Sequence, residues 1–441
     1  MRITSKIEIR IRRLVWRLPK RTLLILICIL IGIVAGISAF LLKSLLQNVH
    51  SFIKLLTNRN LSNIFLVGLP VVGLFLTVAY FSIFHKKGFK KGISQILDSI
   101  KNKSSIIERN QTYGHIISSS LTIGFGGSAG FEAPIVATGS AIGSNIALYY
   151  KFAENERALL LASGAAAGIS AIYNAPIAGV LFAIEVLLVD MSVTAFIPLL
   201  LASATAAIVS RILYQGQLFA LITNRWNLNA IPVYILMGGL AGLYSVLIIR
   251  QTIKIEGLFT RISNKWIRVG IGGIVLSVLI FIFPSLFGEG YFSLQSILNH
   301  QGIAVLNPGL FSIDNNFIII AILVLLFVKI YATGITISAG GNGGIFAPSL
   351  FMGGFLGYLI ATILNSTGLI ELNVVNFTVV GMAGVLSGVI KIPLTAVFLI
   401  AEITGGYVLF VPLMIVSAMS YFISSYFEHS SIYTKELETR V

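Results

Sequence analysis

The chain has 441 residues, 56% of them apolar and only 11% charged, with a net charge of +15 and a single cysteine. A mean hydropathy of +0.93 argues against a soluble enzyme, and the basic excess gathers at segment ends, which argues against a nucleic-acid binder. One cysteine, Cys28, excludes an intrachain disulfide, and the five histidines show no metal-ligand spacing, so neither a metal nor a cofactor is expected.

Residues 1–21 carry eight Lys/Arg against one acid, Glu8, the pattern of a cytoplasmic end. The apolar run 22–42 is too long for an ordinary leader and is read as a retained membrane helix, with Cys28 as a packing residue. A second apolar helix is predicted over 60–84, followed by a basic, glycine-punctuated loop and a short amphipathic piece near 96. The segment 115–125 then runs into Gly126-Gly-Ser-Ala-Gly-Phe-Glu-Ala-Pro134, which places Glu132 in a stretch otherwise free of charge between Arg109 and Lys151, with Glu154 the next acid. An ionisable group at membrane depth is costly, so a function is its default reading. The glycines disfavour a regular helix and Pro134 suits the first turn of a new one, so the chain is expected to break and restart near Glu132. Such a restart aims free N–H groups and a positive dipole end at an anion.

Apolar helices follow over 159–188, interrupted at Asn174-Ala-Pro176, and over 192–213; residues 216–229 form a polar linker. The pattern resumes over 231–249, 269–287 and 317–331 and breaks again at Gly340-Gly-Asn-Gly-Gly-Ile-Phe-Ala-Pro348. Segments over 377–390, 393–404 and 407–427 complete it. The tail 428–441 leaves no room for a soluble regulatory domain, so no nucleotide-binding domain is expected.

The two breaks share Gly-x-x-Ala-Pro at an offset of 214, and the offset continues through Gly139 with Gly353, Gly143 with Gly357 and Ala147 with Ala361. Each is followed by Gly-x-x-x-Gly, a proline (Pro176, Pro393) and, nine residues on, a glutamate (Glu185, Glu402). The chain is therefore read as two membrane repeats, 22–215 and 230–427. Matching broken helices in two repeats point to a transport site at the midplane. Glu185 and Glu402, at matching places on apolar helices, are read as hydrogen-bonding groups at helix ends, and His115 as a structural group. Ser128 has no local His or acid partner, and the glycine clusters lack the Lys-Ser/Thr of a phosphate loop, so no enzyme is expected.

These motifs together resemble the CLC family of chloride channels and proton/chloride exchangers, over roughly residues 20–437. Gly344-Ile-Phe-Ala-Pro348 matches one family signature. Gly130-Phe-Glu-Ala-Pro134 keeps the gating glutamate of another, with Phe131 in place of the usual basic residue and Ala133 in place of the usual glycine. The resemblance implies an all-α membrane bundle of tilted and broken helices in an inverted repeat. It also implies a homodimer with one pore per subunit, in the plasma or inner membrane with a cytoplasmic N-terminus. Chloride would be the substrate, with protons as a second ion. Glu132 would be the gate. Backbone around Gly130, Phe131 and Ala133, around Gly344, Ile345, Phe346 and Ala347, and around Gly92 and Ile93 would hold the anion. Tyr433 would add a hydroxyl, with Tyr426 as the competing assignment.

Two departures bear on mechanism. The family's serine motif is reduced to Lys90-Lys-Gly-Ile-Ser94, with Lys91 in the serine slot and Ser94 in the proline slot, so Lys91 either lines the pore mouth or belongs to a solvated charge run. The exchangers' inner acid is replaced by Val186, which cannot relay protons, so a channel is the first reading. A proton-coupled exchanger is the alternative, since some exchangers lack that acid. A fluoride-selective relative and an organic-solute transporter are further ones.

Overall fold

The computed structural model describes residues 19–57, 63–85, 89, 91–187, 193–214, 223, 225–298, 318–368 and 370–438. Most of the basic segment 1–21 and of the linker 216–229 lies outside them. The described elements are α-helices, short 3-10 turns and one π turn, with no strand.

The first repeat comprises α1 (Lys20–Thr57), α2 (Asn63–Phe84), α3 (Ile93–Asn102), α4 (Gln111–Gly124), α5 (Glu132–Tyr149), α6 (Glu154–Tyr173), α7 (Pro176–Phe182) and α8 (Val193–Leu213). The second has α9 (Ile231–Thr260), α10 (Lys265–Ile282), α11 (Tyr291–Leu298), α12 (Ile318–Ser338), α13 (Phe346–Ser366), α14 (Val374–Ile390), α15 (Pro393–Ile403) and α16 (Phe410–Phe427), after which α17 (Ile432–Glu438) closes the chain. Among the described residues eight helices are long and apolar enough to cross a membrane, and the molecule is a multi-pass membrane protein. Large apolar side chains such as Leu26, Ile208, Leu243 and Phe422 point outward, while the interior is equally apolar, which is why no helical period is legible in the sequence.

The repeats are related by an internal twofold that the backbone itself displays. Gly130 and Gly344 exchange both backbone hydrogen bonds, at 2.8 and 2.7 Å, in an isolated antiparallel bridge. Around it the contacts are reciprocal. Ser128 N–H donates to Thr336 Oγ1 at 3.1 Å, and Asn342 N–H donates to Thr122 Oγ1 at 2.9 Å. Gly126 and Gly340, which open the two breaks, both have positive φ (97° and 122°), a conformation that only glycine adopts at little cost. Further out, α6 and α14 both end at a left-handed residue, Asn174 and Lys391. Likewise α3 and α11 both start after a left-handed glycine, Gly92 and Gly290.

The repeated glycines after each break have a packing reason. A Cβ on Gly139 would lie 2.0 Å from the Gly164 carbonyl oxygen, and one on Gly357 would lie 2.0 Å from that of Phe377. Helices α5 and α6, like α13 and α14, therefore cross backbone to backbone. These two tight pairs hold the restarted helices in place and aim their amino ends at one another.

Candidate functional site

Glu132 opens α5 and Phe346 opens α13, and the Gly130–Gly344 bridge ties the residues just before them together. Neither helix start is capped by a side chain of its own segment. The free N–H groups of α13 instead meet Glu132. Its carboxylate, fully buried, takes a long bond from Ala347 N–H at 3.4 Å on Oε2. Oε1 accepts from the Tyr291 hydroxyl at 2.9 Å and from the Tyr173 hydroxyl, and the two phenol oxygens are 2.7 Å apart. A negative group thus already occupies the positive end of a helix, in an apolar surround that magnifies the attraction.

Beside Gly344 of the bridge lies a cavity of about 260 Å³ whose lining includes Gly92, Ile93, Ala133, Gly344, Ile345 and Tyr433. Lys91 and Arg268, with Glu256 and Glu436, give it charge of both signs. Tyr433 is buried at 4% exposure, and its hydroxyl has no hydrogen-bond partner among the described residues, whereas Tyr426 is 73% exposed. A buried donor left open toward a cavity is what an anion there would need.

Lys91 lines this cavity, but its ammonium is turned to the second break. It donates to the carbonyls of Gly340 and of Gly341 (3.3 Å) and lies 4.5 Å above the Phe81 ring. Ser94 is directed elsewhere: its hydroxyl donates to Glu436 Oε2 at 3.2 Å. Phe131, in place of a cation, is buried. Val186 sits in the π turn Ala183–Leu187 that follows α7 and is half-buried.

Glu185 and Glu402 cap each other's repeat. Glu185 accepts from Leu394 N–H (3.0 Å), Thr395 N–H (2.7 Å) and Thr395 Oγ1 (2.5 Å) at the start of α15. Glu402 accepts from Ile177 N–H (3.1 Å) and Ala178 N–H (2.9 Å) at the start of α7. Both carboxylates satisfy orphan donors of a helix that begins with proline.

Sequence reasoning missed the groups around Glu132. Lys329, fully buried on α12, donates to Ser128 Oγ at 2.9 Å and Gly288 O at 3.4 Å, 4.7 Å above the Phe351 ring. It occupies in repeat 2 the place that His115 has in repeat 1, where His115 Nδ1 and Asn342 Nδ2 are 3.2 Å apart. Lys329 interacts electrostatically with Glu289, which in turn feels Glu132. A lone charge within 317–331 was the available signal for Lys329, by the argument that singled out Glu132. Nothing in the sequence marked Tyr173 or Tyr291. Among the described residues no cluster of His, Cys, Asp and Glu is arranged to hold a metal.

Two inverted membrane repeats that bring helix amino ends together at one buried acid define an ion-pathway architecture. The profile of the voltage gated chloride channel family matches residues 73–425, and the chain belongs to that family. A ClcB-like chloride channel protein of Ralstonia nicotianae is 28% identical over 361 residues, 79% of this chain and 80% of that protein. The H(+)/Cl(-) exchange transporter ClcA of Vibrio vulnificus is 30% identical over 311 residues, 67% of this chain and 62% of ClcA. The chloride channel protein CLC-f of Arabidopsis thaliana is 28% identical, and the match spans 44% of its length. Among solved structures the fold is shared with a slow cyanobacterial Cl-/H+ antiporter (TM-score 0.82, 22% identity, 96% of this chain and 98% of that one). It is shared as well with a CLC-type fluoride/proton antiporter (TM-score 0.76, 24% identity, 93% and 97%).

Proposed function

We propose that this protein moves chloride across a cell membrane in exchange for protons, with Glu132 as the group that both ions use in turn. One observation carries the reading: the Glu132 carboxylate lies at the amino end of α13, on donors that an anion would use. Halide and carboxylate then exclude one another, and a proton on Glu132 weakens the carboxylate's claim to the site. Oriented N–H dipoles bind an anion without a full countercharge, so the ion can also leave. On this reading the backbone of Gly130, Phe131 and Ala133 and of Gly344, Ile345, Phe346 and Ala347 surrounds the outer anion position. The Tyr433 hydroxyl, with Gly92 and Ile93 at the start of α3, serves a second position in the cavity. Lys91 and Arg268 raise the local anion concentration there.

Exchange is supported by ClcA, named an exchange transporter, and by the two solved folds, named antiporters, while the ClcB-like protein and CLC-f are named chloride channel proteins. Val186 supports the second reading, a chloride channel gated by Glu132, because a valine cannot pass a proton onward. A fluoride-selective exchanger is a variant of the first reading. The protein works on either view as a homodimer in the plasma or inner membrane, and the basic residues 1–21 keep its N-terminus in the cytoplasm.

The test is ion flux from proteoliposomes with pH recorded inside and out. Uphill proton movement driven by a chloride gradient supports exchange. Chloride flux with no proton movement supports the channel, and the absence of any halide flux removes both.

A further inference from the structure

The twofold sets every residue of the Glu132 cluster against a counterpart in the other repeat. Glu132, the first residue of α5, corresponds to Phe346, the first of α13. Tyr173, the last residue of α6, corresponds to Ile390, the last of α14, each followed by a left-handed residue. Tyr291, the first residue of α11, corresponds to Ile93, the first of α3, each preceded by a left-handed glycine. Phe346, Ile390 and Ile93 are as buried as their counterparts. At each of these three places the same backbone thus carries an oxygen-bearing side chain in one repeat and an apolar one in the other. The fold does not require the phenols.

What the phenols do is fix a carboxylate. An ionised Glu132 has no proton to give, so both hydroxyls must donate to Oε1, one from each repeat. Charge-assisted O–H bonds of this kind are stronger than the 3.4 Å bond from Ala347 N–H. Tyr173 is itself held from behind, because the buried ammonium of Lys43 and Ser210 Oγ both donate to the Ala171 carbonyl in the last turn of α6. Tyr291 is held through Gly288, three residues before it, whose N–H donates to Gly126 O at 3.4 Å and whose carbonyl accepts from Lys329.

We infer that Tyr173 and Tyr291 are positioning residues that form a two-phenol latch: they hold the Glu132 gate shut across the two repeats, and their hydroxyls pass to the halide when the carboxylate leaves. The inference rests on the reading of Glu132 as the gate. The charged and titratable groups that face this point are Glu132 itself, Tyr173 on α6, Tyr291 on α11, Glu289 beside it, Lys329 on α12 and, more distantly, Tyr433 on α17.

Tyr→Phe removes a single oxygen and keeps the ring, so Tyr173→Phe, Tyr291→Phe and the double variant are made in the parent and again in Glu132→Ala. Chloride efflux from liposomes is measured from pH 4 to 8, with size-exclusion profiles as the folding check. The expected result is at least a threefold rise in efflux at neutral pH for each single variant in the parent, a larger rise for the double, and a displaced pH midpoint. In Glu132→Ala the same changes bring no rise in efflux, because no carboxylate is left for the latch to hold and the hydroxyls serve only the halide. Equal effects in both backgrounds, or none in the parent, or a fall in efflux, overturn the latch and leave Glu132 as gate. A Glu132→Ala protein that keeps the parent's pH profile overturns the gate and the latch together.

Discussion

Removing the Glu132 charge is the most informative perturbation, because one side chain is proposed both to block the pathway and to carry the proton. The carboxylate accepts two phenol hydroxyls and one long backbone N–H. A hydrogen bond to a charged group contributes about 1.5–3 kcal/mol net. An incoming halide recovers most of these bonds by using the same donors, so its disadvantage against the carboxylate is on the order of one such bond. At about 1.4 kcal/mol per tenfold, Glu132→Ala should bind chloride roughly ten- to a hundredfold more tightly than the parent. The assay is calorimetric titration of detergent-purified protein with chloride at pH 7.5, beside liposome efflux at several pH values. Efflux through the variant should be independent of pH and uncoupled from protons. An unchanged isotherm together with an unchanged pH profile would refute the competition argument, since it would mean that the carboxylate and the halide never share a position.

Three further outcomes are expected. Tyr433→Phe should weaken chloride binding by calorimetry several-fold while Tyr426→Phe leaves it alone, because the Tyr433 hydroxyl is buried beside the cavity and Tyr426 is exposed; equal effects would dissociate the cavity from anion binding. Glu402→Ala should lower the thermal midpoint in detergent by removing the cap of α7, a loss of about 0.5–2 kcal/mol, and a variant with normal stability but lost flux would place Glu402 in the pathway instead. Gly357→Ala should prevent recovery of monodisperse protein, since its Cβ would sit 2.0 Å from the Phe377 carbonyl, whereas Gly270→Ala, with open space around it, should behave as the parent; equal yields would contradict the backbone crossing of α13 on α14.

The cost of placing charge in apolar surroundings is what made Glu132 stand out in the sequence, and the 214-residue offset between Gly-x-x-Ala-Pro elements carried the duplication. Those two signals are local in the chain, and the broken helices, their restarts at Glu132 and Phe346 and the pairing of Glu185 with Glu402 were legible from them. The nine-residue spacing from proline to glutamate did not say which helix each acid would cap. The structure shows that each caps the other repeat. The same penalty marks Lys329, the lone charge within 317–331.

By itself the sequence determined the membrane class, the repeat and the acid, because composition, period and the penalty for burying charge act residue by residue along the chain. Only tertiary structure decided that Tyr173 and Tyr291 meet on Glu132, that Lys91 turns to the Gly340 carbonyl, and that Tyr433 rather than Tyr426 faces the cavity. Those contacts join residues 41 to 249 positions apart or distinguish side chains of identical chemistry. In a chain whose helices are apolar all round, no pattern records which face meets which neighbour.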